Sequence, residues 1–127
     1  MNSLKQALAL KAVPIRCVEK DCNPVAMVRL CPWQDKEWAL PWSRLDAFSS
    51  FREVELERVE LFFPHHHIVL VGENLRGIAG DILRFQVSCL RELPAAHRAN
   101  LERCEAFILR LEVRLLADLR IPPSLKM

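Results

Sequence analysis

Three consecutive histidines, His65-His66-His67, are the first residues in this sequence that could do chemistry. On an extended strand, His65 and His67 would point to one face, as two imidazoles sharing a metal ion must. Cys17, Cys22 and Cys31 could supply thiolates, and together with His65 or His67 they would complete a tetrahedral set. Four and eight residues separate these cysteines, and no Cys-x-x-Cys knuckle is present, so the spacing that makes a zinc signature specific is missing. The simpler reading of the histidines is a polar hairpin turn beside Pro64. These five residues stand as metal candidates only.

Other chemistries are less well supplied. Gly72 and Gly77 have the interval of a phosphate loop, but Ile78 and Ala79 stand where the loop needs its lysine and hydroxyl. Gly77-Ile78-Ala79-Gly80 matches a Gly-x-x-Gly backbone clamp, with an apolar central pair where basic residues would help. A simpler reading is that these small residues let a helix approach a sheet. Ser43, Ser49, Ser50 and Ser88 occupy no nucleophile elbow. Glu53, Glu55 and Glu57 would share one strand face and could shift one another's pKa, but Arg52 and Arg58 beside them suit a solvated exterior. No catalytic residue and no cofactor are expected. Arg84, Arg91 and Arg98 recur every seven residues after Arg76, a spacing that would align them on a helix to meet phosphates. Asp81, Glu92 and Glu102 dilute that field.

Whole-chain charge argues the same way. Lys and Arg number 18 against 16 Asp and Glu, a net charge of +2, well short of the basic excess of a dedicated nucleic-acid binder. The 127 residues, 51% hydrophobic and 27% charged, describe one globular domain. Five irregularly spaced cysteines, an odd number, point to a reducing compartment and so to the cytoplasm. Lys11 interrupts the apolar N-terminal stretch, so no targeting peptide is expected. The apolar run Ile68 to Val71 is far short of the roughly 20 residues a membrane span needs, and no membrane partner is expected.

The elements that must position these residues follow from periodicity. Ser3 caps a possible short helix to Lys11, and residues 1–24 form an N-terminal helix and loop segment. Residues 25–127 form a single domain. Val25 to Trp33 and Trp38 to Trp42 alternate as a hairpin, with Trp33 facing Trp38 and with Pro32 and Pro41 marking a sheet edge. Val54 and Leu56 alternate in the opposite phase to Val59, Leu61 and Phe63, which requires a bulge or turn near Glu57. Ile68 to Val71 is apolar on both faces and reads as a central strand. Asn74 then caps a helix whose stripe of Ile78, Ile82, Phe85, Cys89 and Leu93 runs to Pro94. Leu101, Cys104, Ile108, Leu111 and Leu115 form a heptad seam on a last helix, ended by Pro122 and Pro123.

The expected fold class is therefore α+β: an antiparallel sheet of about four strands in two hairpins, followed by two C-terminal helices. Phe107, Leu109, Val113, Leu116 and Leu119 lie off the seam, giving the last helix more apolar surface than one sheet face covers. The expected function is a non-catalytic protein–protein interaction module that self-associates through this helix as a homodimer, or that binds a partner helix. Leu101, Cys104, Ile108, Leu111 and Leu115 would form its interface, and Arg103, Glu105, Arg110 and Glu112 its charged rim. One alternative is nucleic-acid binding through Arg76, Arg84, Arg91 and Arg98. Another is a small metal-binding protein using His65, His67 and the cysteines.

Overall fold

A computed structural model describes residues 15–116. Among the described residues it is mostly β, with eight strands in two four-stranded sheets and not a four-stranded sheet followed by two helices. In chain order the strands are β1 (Val18–Lys20), β2 (Met27–Cys31), β3 (Trp38–Pro41), β4 (Ala47–Arg52), β5 (Glu57–Phe62), β6 (His66–Glu73), β7 (Val87–Arg91) and β8 (Phe107–Leu115). The only α-helix among the described residues is α1 (Ile78–Leu83), six residues long. One sheet has the order β1-β7-β2-β3 and the other β4-β5-β6-β8. All pairings are antiparallel except β2 with β7.

Local chemistry explains the hairpins. Glu53 and Leu56 exchange main-chain hydrogen bonds of 2.8 and 3.1 Å, so Val54 and Glu55 form a two-residue turn between β4 and β5. That turn accounts for the phase reversal near Glu57, and it leaves Val54 94% exposed. Phe63 and His66 close the next hairpin around Pro64 and His65. β6 lies between β5 and β8, and its Ile68, Val69 and Leu70 are fully buried. β2 and β3 pair from Met27↔Pro41 to Leu30↔Trp38, with β3 at the sheet edge. Trp33 and Trp38 do not meet: Trp33 packs edge-on against His97 and Trp38 against His66.

The two expected helices fail for different reasons. After one and a half turns α1 is closed by Phe85, which adopts φ 58°. Gln86 donates to the Asp81 carbonyl at 2.9 Å and Phe85 to that of Ile82 at 2.9 Å, the paired bonds of a Schellman cap. Glycine normally fills the left-handed position; a side chain there costs about 1–2 kcal/mol. Phe85 has a compensating contact, stacking on Trp42 with ring centroids 6.2 Å apart. Beyond it β7 runs between β1 and β2 with Val87, Cys89 and Leu90 all buried, so double-sided burial hides the strand alternation.

The last helix is strand β8. Phe107, Leu109, Leu111, Val113 and Leu115 alternate with Ile108, Arg110, Glu112 and Arg114, a period of two that coincides at Leu111 and Leu115 with the spacing of a heptad. Of the apolar residues off the seam, Phe107, Leu109 and Val113 belong to this alternation, Leu116 follows the strand, and Leu119 lies outside the described residues. A register shift opposite Val71 and Gly72 pairs Arg110 with Val71 and Ile108 with Gly72, leaving Leu109 unpaired. Phe107 and Ile108 are both buried as a result.

The two sheets share one core. It combines Val28, Leu30, Leu40 and Trp42 with Val59, Leu61, Ile68, Leu70, Ile108 and Leu111, and α1 contributes Ile78 and Ile82. Trp42 stacks on Phe63 and donates its indole N–H to the Val87 carbonyl at 2.8 Å, linking the sheets without an unsatisfied polar atom. Within the segment 1–24, Val18–Lys20 is a strand paired with β7 and not a connecting loop. The short helix expected over Ser3 to Lys11 and the residues after Leu116 lie outside the described residues.

Neither Gly77 nor Gly80 lets α1 approach the sheet. A Cβ at Gly77 would meet open space, and one at Gly80 only the Arg84 guanidinium. The glycine that matters is Gly72, where a Cβ would collide with the Phe107 carbonyl of β8. Gly72→Ala should therefore destabilise the protein by about 3 kcal/mol or more, since rigid backbone on both sides resists overpacking. Urea unfolding will measure this, with Gly80→Ala as a near-neutral control.

Candidate functional site

Most of the charged residues singled out by the sequence hold the fold together. Glu57 accepts the main-chain N–H groups of Leu75 at 2.6 Å and Arg76 at 2.8 Å, fixing the turn that leaves β6. In that turn Asn74 has φ 58° and donates to the Arg103 carbonyl at 2.7 Å. Arg98 pairs with Glu73 at 2.9 Å, donates to the carbonyls of Glu102 and Arg103, and lies over the Phe107 ring. These groups line a groove of about 640 Å³ with Arg52, Glu55 and Arg103. Glu53 and Glu55 belong to the hairpin turn while Glu57 reaches across to the turn after β6, so the three carboxylates do not act as one face.

The arginine row is dispersed by the same geometry. Arg84 pairs with Asp81 at the end of α1, and Arg91 on β7 pairs with Glu19 at 2.8 Å and donates to the Arg16 carbonyl. Arg76 precedes α1, and Arg98 lies in the 3₁₀ turn Ala95–Asn100. The structure therefore gives these four residues no common helix. Ser88 is likewise engaged, donating to the Glu19 carbonyl at 3.1 Å.

Among the described residues, no three His, Cys, Asp or Glu side chains are grouped as a metal site requires. Cys17 precedes β1 and Cys31 lies on β2, both buried, while Cys22 is exposed in the turn after β1. His65 lies in the turn between β5 and β6, and His67 lies on β6 of the other sheet. His67 Nε2 lies 2.8 Å from Glu60, and its ring stacks on Phe62 with centroids 4.7 Å apart. Arg58 donates to Glu60 at 2.7 Å and, with His67, holds the Glu60 carboxyl below its usual pKa against a smaller opposing effect of burial. Cys31 and Cys89 are neighbours, with sulfurs 3.8 Å apart. Burial, reinforced by Cys31, pushes the Cys89 thiol up to about 12. A thiol so rarely ionised is a poor nucleophile at neutral pH.

The expected interface residues separate in space. Ile108 and Leu111 are in the core, Leu101 is half-buried at its margin, Cys104 is exposed and Leu115 is exposed at the end of β8. Because β8 is a strand, they form no continuous helical seam.

A different surface is left open. Four strands lie at sheet edges among the described residues, and three of them are short, end in proline or are covered over part of their length. β1 has only three residues, and β3 ends in Pro41. On β8, Ile108 accepts the Leu93 N–H at 3.1 Å and donates to the Cys17 sulfur, and Leu111 donates to Glu92 at 3.1 Å. β4 has six residues, Ala47-Phe48-Ser49-Ser50-Phe51-Arg52, with no proline, lysine or bulge along its pairing with β5. No described strand covers its outer edge. The reciprocal bonds at Glu53 and Leu56 set the alternation along β4, so Phe51 and Ser49 bond inward to β5. The main-chain groups of Phe48, Ser50 and Arg52 consequently face outward. Phe51 is 47% exposed beside them. Proline and lysine would have marked a protected edge in the sequence; their absence from residues 47–52 is the signal that could have revealed an open one.

Two outcomes follow from these environments. Ellman's reagent should titrate Cys22 and Cys104 rapidly in the native protein, and Cys17, Cys31 and Cys89 only after unfolding. Burial, with His65 adding to it, pushes the His66 imidazole pKa down, so the fold favours the neutral ring. Its contribution is then fully present above the unfolded value of about 6.5 and lost as pH falls through the lower folded value. The melting temperature should fall on acidification from pH 7.5 through this window, and His66→Gln should flatten that part of the profile. Compared with known proteins, the chain matches no family model, no curated protein and no solved structure.

Proposed function

We propose that the protein is a non-catalytic protein–protein interaction module that self-associates, acting in the reducing environment of the cytoplasm. The observation that supports this reading is the open β4 edge: a row of outward main-chain donors and acceptors next to the exposed Phe51 and Val54. Such an edge gains hydrogen bonds and apolar burial when another strand is added, and it needs no enclosed cavity. The C-terminal helix expected to supply the interface is a strand with Ile108 and Leu111 turned into the core, so association must use another surface. The ion pairs of Arg84, Arg91 and Arg98 weigh against nucleic acid as the partner. No helix among the described residues is long and apolar enough to cross a membrane.

Native mass spectrometry of tag-free protein tests the proposal. The expected result is a dimer that grows with concentration and has twice the mass of the bare polypeptide. A strict monomer at high micromolar concentration would sink it.

A further inference from the structure

The open edge is self-complementary in charge. Asp46, immediately before β4, and Arg52, at its end, have opposite charges, and neither side chain forms an ion pair among the described residues. Between them lie one alanine, two phenylalanines and two serines, with Ser49 at the centre of the seven-residue stretch. In an antiparallel pair of identical strands related by a two-fold axis through Ser49, each Arg52 side chain comes level with Asp46 of the other copy, whose own main-chain N–H stays bonded to the Phe62 carbonyl at 2.8 Å, so the two ends meet through side chains alone.

We infer that the partner of β4 is β4 of a second copy, paired antiparallel about Ser49, so that two four-stranded sheets join into one continuous sheet. This inference rests on the self-association reading and names its surface. Three features select this register. Phe48 and Ser50, whose main-chain groups point outward, exchange reciprocal hydrogen bonds with Ser50 and Phe48 of the other copy. Side chains on the outer face interdigitate by size, since Ala47 falls opposite the exposed Phe51 of the other copy. Both ends close with an Asp46–Arg52 pair. Shifting the axis to Ser50 keeps main-chain bonding but sets Arg52 opposite Phe48 and leaves Asp46 opposite Val54, so both charges lose their partner. A two-fold pairing also consumes the edge of each copy, so assembly stops at the dimer and does not propagate into a fibre.

Charge reversal tests both surface and register, using the full chain and sedimentation velocity from about 1 to about 500 µM, the range in which a modest strand-edge interface is populated. Asp46→Arg sets two arginines against each other at both ends, and Arg52→Asp two aspartates. Each variant alone should weaken dimerisation more than about tenfold, while circular dichroism and urea unfolding show an intact fold. An equimolar mixture of the two should recover a heterodimer of near wild-type affinity, because every facing pair is again opposite in charge. Wild-type-like dimers of both single variants would overturn the β4 surface and leave self-association standing. Two folded monomeric variants that fail to recombine would overturn the register. A monomeric wild type throughout the range would remove the inference and the self-association reading together.

Discussion

The close approach of β8 to β6 at Gly72 is the constraint on which the rest of the architecture depends. With only hydrogen at that position, the Phe107 carbonyl can lie against the β6 backbone and β8 can take up its bulged register. The bulge turns both Phe107 and Ile108 toward the interior. Ile108 then bonds through its main chain to Leu93 and to the Cys17 sulfur, which belong to the other sheet's side of the molecule. One missing methyl group thus permits the contact that stitches the two sheets along one seam. Trp42 provides a second tie, its ring stacked on Phe63 from the opposite sheet and its N–H bound to β7.

The short-range features of this architecture were readable in the residues. Alternation identified β5, the double-sided apolar run identified β6 as central, and Pro41 placed β3 at an edge. Each depends on a local pattern, whether alternation, an unbroken apolar run or a proline, and needs no knowledge of distant contacts. What misled was double-sided burial in β7, where it continues a helical stripe, and the bulge in β8. β7 follows a real helical turn, and its burial pattern continues the helix stripe without a break because Phe85, and not glycine, occupies the left-handed cap. β8 satisfied a three-and-four spacing and a two-residue spacing at once, and the helical reading treated the surplus apolar residues as an interface. As a strand, β8 places Phe107, Leu109 and Val113 in its alternation, and the unpaired Leu109 marks the bulge.

The same error shaped the site. Residues chosen because they shared a helix face, Arg84 with Arg91 and Ile108 with Leu111, lose that relation when the helix is absent. The paired groups are instead those joined across the fold: Glu57 with the turn before α1, Arg98 with Glu73, Glu92 with β8. Such pairings have separations of 18 to 25 residues in sequence and no local pattern. A carboxylate committed to two backbone N–H groups, as that of Glu57 is, is poorly placed to act as base or metal ligand.

The seam and the open edge are two consequences of one topology. The second sheet has only two edges, and sealing β8 against Cys17, Glu92 and Leu93 leaves β4 at the far side, beyond reach of the other sheet's strands. β3 cannot cover it, because the chain passes from β3 through the 3₁₀ turn Trp42–Arg44, whose Trp42 is anchored in the core, directly into β4. The edge is therefore not a gap that a small side-chain movement would close. Among the described residues no strand satisfies its outward main-chain groups, and a strand added there would gain apolar burial against exposed Phe51 as well as hydrogen bonds, which is the gain the proposed self-association relies on.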